Sequence, residues 1–142
     1  MAKVARAARV ASRQRIETIT ANKTIESAET GELYLINASS AGNFTITLPV
    51  AQEGAYFTFV LSHNSNAAAE VLIDSGTGVK IYGNTHVQGA GTGNVTKAHH
   101  NNEKLGFGDA AKRGDMVELV SDGNDWYLLQ AEASVAFVTS FS

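Results

Sequence analysis

Alternating apolar and polar positions run through most of the chain. In Phe44-Thr45-Ile46-Thr47-Leu48, the apolar residues fall on one side and the threonines on the other, the period of a half-buried strand. Pro49 has no N–H to donate and ends the pairing there. Leu33-Tyr34-Leu35-Ile36 lies between Gly31 and Asn37. Val71-Leu72-Ile73 ends at Asp74-Ser75-Gly76, and Val79-Lys80-Ile81-Tyr82 ends at Gly83-Asn84. Each reads as a strand bounded by turn residues. Tyr56-Phe57-Thr58-Phe59-Val60-Leu61 is apolar on nearly both faces, which predicts a central place in a sheet. Residues 116–120 and 126–129 flank Ser121-Asp122-Gly123-Asn124-Asp125, the clearest hairpin in the chain. Within it, Trp126 and Tyr127 face opposite sides of one strand, one toward the core and the other toward solvent or an interface. Residues 135–139 read as a last strand. Upstream, the β-branched Thr18, Ile19, Thr20, Thr24 and Ile25 start the strand signals at about Ile16.

Between these segments, residues 83–103 are rich in Gly and Asn and have little to bury. They are expected to form a long projecting loop, or a weak hairpin from Thr85 to Lys97. No fixed-period repeat covers the chain, which argues against a solenoid or propeller. The predicted fold is all-β: a small antiparallel sandwich or barrel of about eight strands with a basic N-terminal arm. The expected division is an arm over residues 1–23 and a single β domain over residues 24–142.

Composition agrees with this picture. The chain has 142 residues, a single-domain length, with thirteen Gly and one Pro. It has no Cys, so disulfides, zinc–thiolate sites, iron–sulfur clusters and cysteine nucleophiles are excluded. No apolar run approaches the roughly 18 residues of a membrane span. The positive start is not followed by the apolar stretch of a signal peptide. No membrane association is expected.

The net charge of −3 hides a division. Residues 1–23 carry six bases (Lys3, Arg6, Arg9, Arg13, Arg15 and Lys23) and one acid, Glu17, for a net +5. Residues 24–142 carry five bases and thirteen acids, for a net −8. A basic segment on an acidic body marks an interaction tail. Four readings of it compete: a phosphate-binding arm, an Arg-rich transit peptide, an arm lying on an acidic protein surface, and a solvated terminus. In a helix of about 100° per residue, Lys3, Arg6, Arg9 and Arg13 share one arc, and the opposite stripe is mostly Ala. That stripe is too slight to bury in a membrane, so a partner-docked arm suits the residues better.

Residue types for chemistry are sparse. There is no Gly-x-Ser-x-Gly elbow, no phosphate loop and no dinucleotide fingerprint. Gly89, Gly91 and Gly93 alternate, but no apolar strand precedes them and no helical pattern follows. His63, His86, His99 and His100 lack the spacing of a helical zinc pair, and adjacent His99 and His100 point to opposite sides of a strand. Asp115, Asp122 and Asp125 lack the final carboxylate of a calcium loop. No metal, no cofactor and no catalytic residue is assigned. The body's charge opposes nucleic acid, and its aromatics lie in segments nearly devoid of Lys and Arg, so no sequence-specific nucleic-acid binding is expected.

Phe44-Thr45-Ile46-Thr47-Leu48-Pro49, Gly54 with Phe57-Thr58-Phe59-Val60, and Gly114-Asp115 with residues 117–123 and Trp126-Tyr127 together resemble a β module of tailed-bacteriophage virion proteins. The resemblance spans about residues 31–130. Residues 9–25, RVASRQRIETITANKTI, resemble the start of small phage head-decoration (cement) proteins. The resemblance implies a non-enzymatic structural protein on the outer surface of an icosahedral capsid, a homotrimer that clamps subunits of the major capsid protein. Lys3, Arg6, Arg9, Arg13 and Arg15 are then the candidate capsid-contacting arm, and His86, His99 and His100 mark a candidate interface loop. The same module occurs in tail fibres, which leaves the alternative of a receptor-binding component contacting a host glycan.

Overall fold

In the computed structural model, residues 14–39, 42–65, 69–88 and 95–141 are described. Among them, eleven strands form two sheets stacked as a sandwich, with one 3-10 turn, Ser27–Glu29, as the sole helical element. In chain order the strands are β1 (Ile16–Ile19), β2 (Lys23–Thr24), β3 (Leu33–Ile36), β4 (Phe44–Thr47), β5 (Tyr56–Leu61), β6 (Val71–Asp74), β7 (Ile81–Gln88), β8 (Val95–Asn102), β9 (Lys104–Phe107), β10 (Met116–Ser121) and β11 (Trp126–Ala133). The larger sheet has the order β1-β3-β5-β10-β11-β7-β8, and the smaller one β2-β4-β6-β9.

The first six strands alternate between the sheets. β1, β3 and β5 pair in parallel in one, and β2, β4 and β6 pair in parallel in the other. Parallel neighbours need a crossover, and here each crossover is a strand of the opposite sheet. The expected all-β sandwich is found, with eleven strands among the described residues in place of about eight and with mixed in place of purely antiparallel pairing. Antiparallel pairing is confined to β5–β10, β10–β11, β6–β9 and β7–β8, while β11 and β7 run parallel.

Alternation along each strand builds the core. Across the smaller sheet, Phe44, Val71 and Phe107 share one register row and Ile46, Ile73 and Leu105 the next, all buried. Facing them, Tyr34, Phe59, Val117 and Ala131 form one row of the larger sheet. The Tyr34 and Phe59 rings stack at 5.4 Å, and Phe57 packs on Trp126 at 5.8 Å. β5 is interior, as expected, but it buries only Phe57, Phe59 and Leu61. Its other residues, Tyr56, Thr58 and Val60, lie on the sheet's outer side.

Three further expectations are decided. Of the two alternatives for the Gly/Asn-rich stretch at 83–103, the hairpin is the one found, longer than Thr85 to Lys97: β7 and β8 are registered from Ile81↔Asn102 to Gln88↔Val95. It forms because β11 supplies a ladder along the other side of β7, so its backbone is paired without a buried apolar face. Gly83 fits there at φ +144, where a Cβ would collide with the Leu128 side chain. The expected strand at 135–139 reduces to one bridge, in which Val138 exchanges backbone hydrogen bonds with Gly106 at 2.9 and 2.7 Å. Residues 14–23, assigned to the arm, belong to the body: the Arg15 carbonyl accepts from Leu33 N–H, and Ile19 is buried.

Candidate interaction surface

Of the candidate arm, Lys3, Arg6, Arg9 and Arg13 lie outside the described residues, and Arg15 lies where the chain joins β1. Its guanidinium is largely exposed, with Nε 3.1 Å from the buried Glu32 carboxylate. Gln14 Nε2 donates to the Gly31 carbonyl at 2.6 Å. These two contacts fix the start of the body against the segment leading into β3.

Beside them is an ionic cluster. Lys23 Nζ lies 3.0 Å from Glu17 and 2.9 Å from Glu29, and 5.6 Å above the Tyr34 ring. The Tyr34 hydroxyl donates to Glu29 at 3.2 Å, and Glu26 N–H donates to the same carboxylate at 2.6 Å. Burial by itself would lower the Lys23 pKa, but its contacts with Glu29 and Glu17 hold it above the ordinary lysine value. Burial pushes Glu29 up, yet the Glu26 N–H and Lys23 outweigh it and hold the carboxyl below its usual range. Tyr34 is driven far up, chiefly by burial and then by the Glu29 and Glu32 charges. Carboxylate oxygens of Glu17, Glu29 and Glu32 lie within 4.8 Å of one another, as three metal ligands would. The chain's own ammonium at Lys23 and guanidinium at Arg15 already pair with them. The cluster is a latch for β1 and β3.

The histidine positions divide between two faces of the β7–β8 hairpin. His86 pairs in register with Lys97, and His99 with Asn84, which places His86, His99 and Lys97 on one face. His100 is on the other and is buried. Its Nε2 makes no hydrogen bond, and burial is the main cause holding its imidazole below the ordinary value. Every other β8 residue is exposed. The hairpin thus brings two of the three candidate histidines together and separates the third. His63 is elsewhere, with Nδ1 3.0 Å from Ser62 Oγ.

His86 also borders a cleft of about 300 Å³ beside the Gln88–Val95 end of the hairpin, with Asp115, Glu132 and Ser134. Asp115 is committed to structure. Its carboxylate accepts from Lys112 N–H at 2.9 Å, Ser134 N–H at 3.0 Å and Ser134 Oγ at 2.7 Å. On the outer face of the larger sheet, Tyr56, Val120, Tyr127 and Tyr82 form one register row. The Tyr82 and Tyr127 rings are 6.0 Å apart. Tyr127 donates to Asp122 at 3.0 Å, which raises its own pKa. Trp126 and Tyr127 divide as expected, one buried and the other part-exposed. The ionic cluster and the tyrosine row were not anticipated. Their members come from separated segments, and only register joins them.

The chain matches no family model, and a comparison with curated proteins returns no match.

Proposed function

We propose that this chain is a structural virion protein that decorates the outside of an icosahedral phage capsid as a homotrimer and clamps neighbouring subunits of the major capsid protein. The observation that carries this reading is β8, an eight-residue strand exposed along almost its whole length. Such a surface suits coverage by a neighbouring chain better than solvent. The division of charge supports it too, because residues 1–13, with four bases and no acid, joined to a body over residues 14–142 of net −7, suit docking on an acidic lattice. Clamping needs no catalysis. A ligand that binds the assembled lattice but not free subunits stabilises the lattice by mass action. An oligomer touching several subunits gains effective concentration as well. The outward-facing pair of half-buried Tyr82 and exposed Tyr127 favours one second reading, a receptor-binding component whose aromatic face stacks on a host glycan.

The test removes residues 1–13 and keeps Gln14 and Arg15, whose contacts hold β1 in place. The truncated protein is expected to fold and to bind capsids more weakly. Added salt should weaken the full chain more than the truncated one, since exposed charges are screened within about 10 Å at 0.1 M salt. Equal salt dependence of the two proteins would count against an arm that docks on the capsid.

A further inference from the structure

Val95–Asn102 holds two adjacent histidines, and strand alternation sends them to opposite faces. His99 is exposed, whereas His100 points inward opposite Gly83 and is 6% exposed, the one buried residue of β8. The ring has the Lys104 backbone as a hydrogen-bond partner, while its Nε2 is buried with none. A neutral imidazole tolerates that placement. A charged one is a donor at both ring nitrogens and needs an acceptor or water at each.

The elements around the ring offer no counter-charge. Ile81, Gly83, Thr85 and Val87 share its face of β7. The titratable side chains of β7 and β11, Tyr82 and His86 with Tyr127 and Glu132, pair in register on the outer face instead. In β9 and the turn before it, Lys104 is paired with Asp74 at 3.3 Å, and Glu103 with Lys80 at 3.5 Å and with the Gly78 N–H at 2.9 Å. Residues 134–141, bridged to β9 through Val138, carry no charge. Among the described residues, no uncommitted carboxylate faces His100, and a charged His99 only repels it.

We infer that His100 is an acid-sensitive pin for β8: when its imidazole takes a proton the ring must reach water, and the strand loses the single side chain that ties it to the core. β8 then keeps only its backbone ladder to β7, and this edge loosens while the rest of the sandwich stays closed. Burial holds the docked imidazole below the ordinary value of 6.5, against the weaker pull of the Lys104 backbone, so a released strand binds the proton more readily than a docked one. The pin is therefore fully engaged above about pH 6.5 and is lost as pH falls from there toward the folded value. The pin goes beyond the decoration reading, and the free protein suffices to test it, so the outcome is separate from whether the chain binds capsids.

Amide hydrogen exchange of the full chain between about pH 6.5 and pH 5, corrected for the intrinsic rate, reads the opening of β8. That window lies above the range in which Glu29 of the latch titrates. The opening constant of the β8 amides bonded to β7 is expected to rise as pH falls, by up to about tenfold per pH unit, while the amides of Phe57 and Phe59 in β5 keep their protection. His100→Phe, a ring that does not titrate, should flatten the β8 profile. A double variant, His86→Gln with His99→Gln, should leave it as in the wild type. A flat wild-type profile overturns the inference, as does an unchanged slope in His100→Phe or a lost slope in the double variant. If His100→Phe fails to fold, NMR titration of the wild-type rings decides. Protonation of His100 in step with β8 opening supports the pin, and protonation while the β8 amides stay protected overturns it.

Discussion

Gly106 shows how closely neighbouring strands of the smaller sheet are fitted at single residues. It lies in β9 opposite Leu72, and a Cβ there would run into the Val71 carbonyl and the Leu72 side chain. Its amide and carbonyl also hold Val138, so the strand has little room to shift. Gly106→Ala is expected to destabilise the fold by about 1–3 kcal/mol, the usual range for overpacking. Gly42 has open space where a Cβ would stand, and Gly42→Ala should change stability by less than about 0.5 kcal/mol. Urea unfolding of both variants checks the pair, and equal effects would show that the β9 contact is looser than described. The tight approach at Gly106 was not readable in the sequence, because Lys104–Phe107 is short and Gly106 breaks its apolar run.

The strands that alternate cleanly were legible. Phe44–Thr47, Tyr56–Leu61 and the hairpin of Met116–Ser121 with Trp126–Ala133 stand where their apolar period puts them. Periodicity reports which side of a strand is buried but not which strand lies beside it, so the parallel pairing of β1, β3 and β5 was hidden. The β7–β8 hairpin was legible only as one of two alternatives, because Asn84, His86, Lys97 and His99 give that face no apolar residue, and the ladder to β11 holds it instead. The latch at Lys23 is a third case, since Glu17, Lys23, Glu29 and Tyr34 meet only after β1 and β3 pair. It has a pH signature. Glu29 titrates below its unfolded value, so its contribution is present above about pH 4.5 and is lost as pH falls through the folded value. Lys23 titrates above its unfolded value, so its contribution holds below about pH 10.5 and is lost as pH rises through the folded value. Glu29→Gln should cost about 1 kcal/mol near neutrality and flatten the acid limb of stability against pH. An acid limb identical to the wild type's would remove Glu29 from the latch.

At the scale of the molecule, the body is a sandwich whose core is complete, while one end of its larger sheet remains exposed at β8. Its charge is divided between a basic segment and an acidic body. On the reading proposed above, both features serve contact with neighbouring chains. In the proposed decoration role, its effect grows with the number of copies a lattice holds. The most direct test of capsid decoration is therefore the copy number of this chain in purified virions, measured by quantitative mass spectrometry against the major capsid protein. The account predicts three copies for each occupied threefold or quasi-threefold position of the lattice, in fixed ratio to the capsid subunit. A handful of copies per particle, with the protein found on isolated tails, would contradict it and favour the receptor-binding alternative.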